Sequence, residues 1–284
     1  MPVSSGESKT LPCNLCNSSS FKPALDCEGF SFVRCKQCGL VQRNPQPLKE
    51  EIIARYRDIY GKDYLAYEIE NEAAFLNLQL LALKDAGFSQ TEKALFLRAG
   101  SEPEKAPSVL DIGCATGSLL THLRDKGWRV TGVEISPAAE YARNERRLDV
   151  RNIPLEEINF AAGTFDIVLA SHLIEHLNNP RSFLNEVYRV LKDGGYFFIT
   201  TPNISGFQAY LFKDRWRSAI FDHLYLFSKT TLIKMMKDSG FTIKRIRTWG
   251  GLAAGTAPSW LKKIFDKAAK RFHFGDVMIV KAKK

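Results

Sequence analysis

A chain of 284 residues, 45% hydrophobic and 25% charged, is large enough to bury a core without disulfide support, which excludes a peptide, a disordered polymer and a polytopic membrane protein. Its net charge of +9 is unevenly placed: residues 1–202 carry 23 Lys+Arg against 26 Asp+Glu, and residues 203–284 carry 17 against five. A basic C-terminal stretch suits nucleic acid, an anionic membrane surface or a phosphorylated small molecule, and charge alone does not choose among them. No apolar run reaches the ~18 to 20 residues of a membrane span, and the start lacks a secretory pattern, so a cytoplasmic location is expected.

The first feature in chain order is metal-like. Cys13, Cys16, Cys35 and Cys38 form two C-x-x-C pairs eighteen residues apart, the spacing at which two tight turns supply four thiolates to structural zinc. Residues 1–45 show no helical period, which argues against a redox dithiol, and the strand-like FSFVRC and CGLV make residues 1–47 a predicted zinc ribbon. Cys27 is read as a spare thiol, and a closed four-sulfur site serves folding and docking rather than chemistry. Residues 48–105 read as a helical cap and linker, with Ile52, Ile53, Tyr56 and Tyr60 on one face, then Phe75, Leu76, Leu78, Leu80, Leu81 and Leu83 as core or lid contacts.

From 106 the pattern becomes α/β. Val109 to Leu120 reads as an apolar strand, a turn carrying Gly113, Cys114, Ala115 and Gly117, and a helix; Trp128 to Glu134 is a second strand ending in an acid. A pyrophosphate ligand calls for G-x-G-x-x-G, whereas Asp111-x-Gly113-x-x-x-Gly117 suits a nucleoside ligand without one.

This arrangement resembles the glycine-rich motif of class I S-adenosylmethionine-dependent methyltransferases. The likeness continues through FDIVLASHLIEHL (165–177), Asn179-Pro180, the strand YFFITTP (196–202), HLYLFS (223–228) and Ser239-Gly240-Phe241, covering about 106–249. It implies a Rossmann-like core of seven strands over 106–284, with acceptor-pocket insertions at 203–225 and 250–275 and a last strand from Asp276 to Lys281. It further implies that Asp111, Gly113 and Gly117, with Cys114 and Ala115 in the same turn, shape the pocket for the methionine portion. Glu134 then accepts from the ribose hydroxyls, Ile135 packs on adenine, Ser171 lines the sulfonium side, and Asn152 or backbone groups read the adenine edge. A four-cysteine ribbon before such a core also resembles bacterial methyltransferases acting on sugars and cell-surface metabolites.

His172-x-x-Glu175-His176 matches the inverted zinc-protease string as well, but that reading needs a sustained helix where a strand has just ended. An alcohol or acidic-carbon acceptor needs a base, and His172 and His223 are the candidates at the carboxyl end of the sheet; His223 is favoured, because His172 sits close enough to the methionine portion to act as wall. Residues 259–272 form an amphipathic helix, with Trp260, Leu261, Ile264, Phe265, Ala268 and Phe272 opposite Lys262, Lys263, Lys267 and Lys270, suited to core packing or to a membrane surface. The expected function is methyl transfer to a small-molecule acceptor such as a sugar or cell-envelope precursor. An RNA-modifying enzyme and a non-catalytic zinc-ribbon adaptor are the alternatives; nucleic acid is disfavoured because Thr201-Pro202-Asn203 is a poor match to the signature of base-amino methylation.

Overall fold

The structure, a computed structural model, describes residues 8–59, 61–100, 102–251 and 258–284; Tyr60 and the side chains of Leu261 and Lys263 lie outside the described set, as does 252–257 of the expected second insertion. In chain order, β1 (Ser8–Lys9), β2 (Phe21–Cys27), β3 (Phe30–Cys35), β4 (Val41–Arg43) and β5 (Gln46–Pro47) build the N-terminal ribbon. A helical stretch follows: α1 (Lys49–Ala54), a π turn at Arg55–Ile59, α2 (Gly61–Ala86) and α3 (Phe88–Ala99). The core is β6 (Ser108–Ile112), α4 (Ser118–Arg124), β7 (Arg129–Val133), α5 (Ala138–Asn144), β8 (Val150–Arg151), α6 (Leu155–Ile158), β9 (Phe165–Ser171), α7 (Pro180–Val190), β10 (Leu191–Pro202), α8 (Phe207–Phe212), β11 (Tyr225–Leu226), α9 (Lys229–Asp238), β12 (Thr242–Trp249), α10 (Ser259–Phe272) and β13 (Val277–Lys283).

Seven of these strands form one sheet in the order β12-β13-β10-β9-β6-β7-β8. The pairs from β10 to β8 are parallel, and β13 runs antiparallel to both neighbours. Every residue of β6 is buried, as expected of a parallel strand covered on both faces. The strand order reverses between β6 and β9, so their carboxyl ends open the crevice in which such sheets bind ligands. Helix α7 shows how sequence drives this packing. Asn179 accepts from the Ser182 N–H, Pro180 takes the first turn where its missing N–H costs nothing, and Phe183, Leu184, Val187 and Val190 are buried on one face.

The ribbon shares its sheet with the core. Strands β2, β3 and β4 form an antiparallel sheet whose fourth strand is β11, pairing Tyr225 with Gln42 and Leu226 with Val41. Around this seam Arg43 donates to the Phe221 carbonyl at 2.8 Å and lies over the Phe221 ring, and Tyr225 donates to the Asn178 carbonyl. The aromatic 203–225 segment, expected to wall an acceptor pocket, divides its content. Trp216 is buried with Phe32, Val41 and Leu226 beneath the ribbon, while Tyr210, Leu211 and Phe212 face outward. Trp216 and Arg217 both donate to the fully buried Asp276, tying the segment to the start of β13.

Because the Arg43 guanidinium is buried and joins two remote parts of the chain, Arg43→Ala should lower stability by about 2 to 3 kcal/mol, the usual loss for a buried charged donor. Urea unfolding should show it, with cofactor affinity unchanged.

Candidate functional site

The turn after β6 depends on backbone that only glycine adopts freely. Gly113 and Gly117 have φ of 77° and 79°, and a Cβ on Gly117 would stand 2.4 Å from the Leu148 side chain, so the turn is held tight against α5 and β8. Glu134, 7% exposed at the end of β7, closes this turn: Oε2 accepts from the Ala115 N–H at 3.0 Å and Oε1 from the Ser136 N–H at 2.8 Å. Each oxygen keeps a lone pair for a ligand hydroxyl.

Asp111 is buried a few residues away. Burial and the charge of Glu134 push its pKa up to about 7. Two carboxylates in one desolvated crevice, with no ion-pair partner among the described residues, make it receptive to a positive ligand. Ile135 is half-buried beside Glu134, and Ser171 lies at the end of β9, on the wall that Asp111 and Thr200 share. The Asn152 NH2 group is taken by the carbonyls of Glu134 and Ser136, so it pins the turn after β7 and has its Oδ1 to offer a ligand edge.

Helix α2, in the stretch read as a helical cap, lies along this crevice, while its Leu78 and Leu81, read as core or lid contacts, are exposed. Its Gln79, Ala82 and Leu83 line the crevice with Asp111 and Ser171. One stretch earlier, Glu72 accepts from the Thr116 hydroxyl at 2.6 Å and binds Arg146 through both oxygens. Nearer its start, Tyr64 and Glu68 both have raised pKa values, through burial first and the charge of Glu134 second for Tyr64, and through burial and its neighbours for Glu68. From Tyr64 to Leu83 the helix spans about 28 Å, enough to cover a nucleoside-sized ligand end to end.

Past β9 the chain turns sharply at His172, a non-glycine residue at φ 51°. Its side chain is half exposed, with Nδ1 3.4 Å from Glu175 Oε1. Glu175 is 1% exposed and accepts from the Thr201 hydroxyl at 2.9 Å. Burial alone would raise its pKa, but His172 and the neighbouring imidazoles outweigh burial and hold it at about 2. Behind it, His176 and His223 stack edge to face with centroids 4.6 Å apart, and one nitrogen from each lies within 4.8 Å of a Glu175 oxygen. His223 is buried and donates from Nδ1 to the Ser218 carbonyl at 2.7 Å; burial first, then His176, lowers its pKa to about 4. His176 is also lowered, mainly by burial, and its Nδ1 sits 3.0 Å from the Asp222 carbonyl and 2.8 Å from the Tyr56 hydroxyl.

His223, favoured as the base from the sequence, is enclosed and hydrogen-bonded, whereas His172 is half exposed with the Glu175 carboxylate 3.4 Å from its Nδ1. The zinc-protease string does not form a helix: Ile174–His176 is one 3₁₀ turn, with His172 outside it.

The four cysteines Cys13, Cys16, Cys35 and Cys38 converge, with all four sulfurs within 4.8 Å and the Cys13–Cys38 and Cys16–Cys35 pairs at 3.4 and 3.5 Å. Thiolates about 2.3 Å from a tetrahedral zinc lie about 3.8 Å apart, so the spacing fits that ion. Cys27 stands apart, its thiol facing the Asp214 carbonyl.

Residues 86–246, more than half the chain, match the family model described as a methyltransferase domain. The chain belongs to the class I S-adenosylmethionine-dependent methyltransferase family. It is 37% identical over 114 residues to the mitochondrial ubiquinone biosynthesis O-methyltransferase of Rattus norvegicus, over 36% of this chain and 32% of that protein. It is 34% identical over 122 residues to the ubiquinone biosynthesis O-methyltransferase of Pseudomonas aeruginosa, over 40% and 51%. The matches thus span a third to a half of these curated relatives. A solved S-adenosylmethionine-dependent methyltransferase from Archaeoglobus fulgidus aligns with 73% of this chain and 99% of its own at 22% identity, with a TM-score of 0.48.

Glu134→Ala should weaken S-adenosylmethionine binding by about 1.5 to 3 kcal/mol, the range for hydrogen bonds to a charged group. Since a cationic ligand favours ionised Asp111, affinity should also rise about tenfold from pH 6 to pH 8 in the native protein and stay flatter in Asp111→Asn. Titration calorimetry at both pH values reads the two effects together.

Proposed function

We propose that the chain moves a methyl group from S-adenosylmethionine to a hydroxyl of a small-molecule acceptor, of the sugar or cell-envelope-precursor kind, with His172 as general base. The observation that supports this reading is buried Asp111, under the charge of Glu134, in a crevice lined by α2 and Ser171, with half-exposed His172 next along the chain and backed by buried Glu175. A hydroxyl acceptor accords with relatives named for O-methylation, and the sugar class with the four-cysteine ribbon ahead of the core.

When bound, the cofactor supplies an electrophilic methyl carbon and leaves as a neutral thioether, so its departure needs no acid. The protein's work is alignment, dehydration and removal of the acceptor proton. Asp111 and the turn at Gly113, Cys114, Ala115 and Gly117 receive the methionine end, Ser171 lines the wall, and Glu134 with Ile135 holds ribose and adenine. Helix α2 excludes water along the crevice. His172 takes the hydroxyl proton on Nε2 while Glu175, facing Nδ1, orients the ring and stabilises its charged form. The four thiolates of the ribbon hold zinc structurally, and the ribbon in turn fixes the segment that carries His223.

A panel of hydroxylated small molecules, sugar nucleotides and RNA incubated with methyl-labelled cofactor tests the reading: label in a small-molecule hydroxyl supports it, label confined to RNA or absent cofactor binding rejects it. On the accepting substrate, His172→Ala should reduce single-turnover methyl transfer by ~10² to 10⁴ with cofactor affinity retained. Elemental analysis should find one zinc per chain, lost in the Cys35→Ser, Cys38→Ser variant, which should keep cofactor binding while its transfer rate falls.

A further inference from the structure

Helix α10 carries a wider apolar face than the core uses. Ala269 is fully buried, its carbonyl accepting from the Thr248 hydroxyl, and Phe265 packs on the rings of Phe207 and Phe274. At 100° per residue, Trp260 and Ile264 lie about 140° to 180° around the helix from Ala269, on a stripe continued by Lys267 and Arg271. Trp260 is 63% and Ile264 55% exposed, and Phe272 at the helix end is 68% exposed.

The neighbouring helix repeats this. Phe207 of α8 touches Phe265, and the next turn of α8 presents Tyr210, 80% exposed, with Leu211 and Phe212. Lys213 and Arg215 follow directly, both exposed. Among the described residues, Lys213, Arg215, Lys267 and Arg271 have no ion-pair partner, while Lys262 and Lys270 are paired with Asp266 and Asp85. Two packed helices thus share an outward rim of aromatic and aliphatic side chains beside unpaired cations.

We infer that α8 and α10 form a docking face for an anionic phospholipid bilayer. Tryptophan and tyrosine suit the headgroup boundary, Ile264 and Leu211 reach the acyl region, and the four cations meet the lipid phosphates. A two-fold contact with a second copy would bring these cations against their own counterparts, and a nucleic-acid backbone would leave the aliphatic side chains without a partner. The face also adjoins the roof of the crevice, since Lys270 of α10 pairs with Asp85 of α2, one turn beyond Ala82 and Leu83.

Trp260 is the exposed one of four tryptophans, so its fluorescence reports the contact. The full chain, titrated with vesicles of phosphatidylcholine alone or with about a third phosphatidylglycerol, should show a blue shift and at least about tenfold tighter binding to the anionic vesicles. Trp260→Phe with Ile264→Ser, and separately Lys267→Glu with Arg271→Glu, should each weaken sedimentation with anionic vesicles about tenfold or more, with cofactor affinity unchanged as evidence of folding. Equal binding to both vesicle types, or variants that sediment like the native chain, overturns the assignment. So does a dimer dissociated by Ile264→Ser, or an RNA duplex bound more tightly than the vesicles.

Discussion

A carboxylate taken out of water must be compensated or it will not stay charged, and Glu175 is where this chain meets that demand. It is 1% exposed, yet its pKa is held at about 2. Thr201 at the end of β10 donates to one oxygen and His172 at the end of β9 faces the other, while His176 and His223 stand within 4.8 Å. The Glu175 backbone carbonyl accepts from the Leu224 N–H, and the Leu224 carbonyl accepts from the Arg43 N–H of the ribbon. Sheet end, 3₁₀ turn, the segment before β11 and ribbon are thus joined through the backbone of Glu175 and Leu224.

The carboxylates at the other side of the crevice pose the opposite case. Among the described residues Asp111 and Glu134 have no ion-pair partner, and Asp111 is driven up to about 7 by burial and by its neighbour. Such an arrangement costs stability in the free protein and repays it when a positive ligand enters, because the ligand removes the repulsion that folding tolerated. One acid cluster is satisfied from within the chain, whereas the other has no ion-pair partner among the described residues.

The sequence made the local devices legible. The Asp111 to Gly117 turn, the acid ending β7 and the two C-x-x-C pairs are short-range patterns in which each residue's chemistry depends on neighbours within a few positions, and each was placed on the element expected of it. What it hid was long range. Glu72 meets Thr116 and Arg146 across 44 and 74 residues, and β4 pairs with β11 across more than 180; no period or motif encodes such a meeting. The resemblance implies Asn152 or backbone groups at the adenine edge; it does not disclose that the Asn152 NH2 group meets the carbonyls of the turn after β7, which leaves its Oδ1 for a ligand. Amphipathic helix 259–272 was visible, whereas the division of its apolar face into a packed and an outward part depends on where β12 and Phe274 lie.

The histidines make the same point about environment more sharply. His172, His176 and His223 carry one functional group and surround one carboxylate, yet only their surroundings decide what each can do. His176 and His223 give their Nδ1 atoms to backbone carbonyls and are buried, which favours the neutral ring and fixes its tautomer. A base held that way accepts a proton only against desolvation. His172 sits half in water at positive φ, with the Glu175 carboxylate 3.4 Å from its Nδ1. Strain of this kind persists only where surrounding structure imposes it, and here the His172 N–H is tied to the Thr200 carbonyl, so β10 holds the backbone of the turn that carries the imidazole.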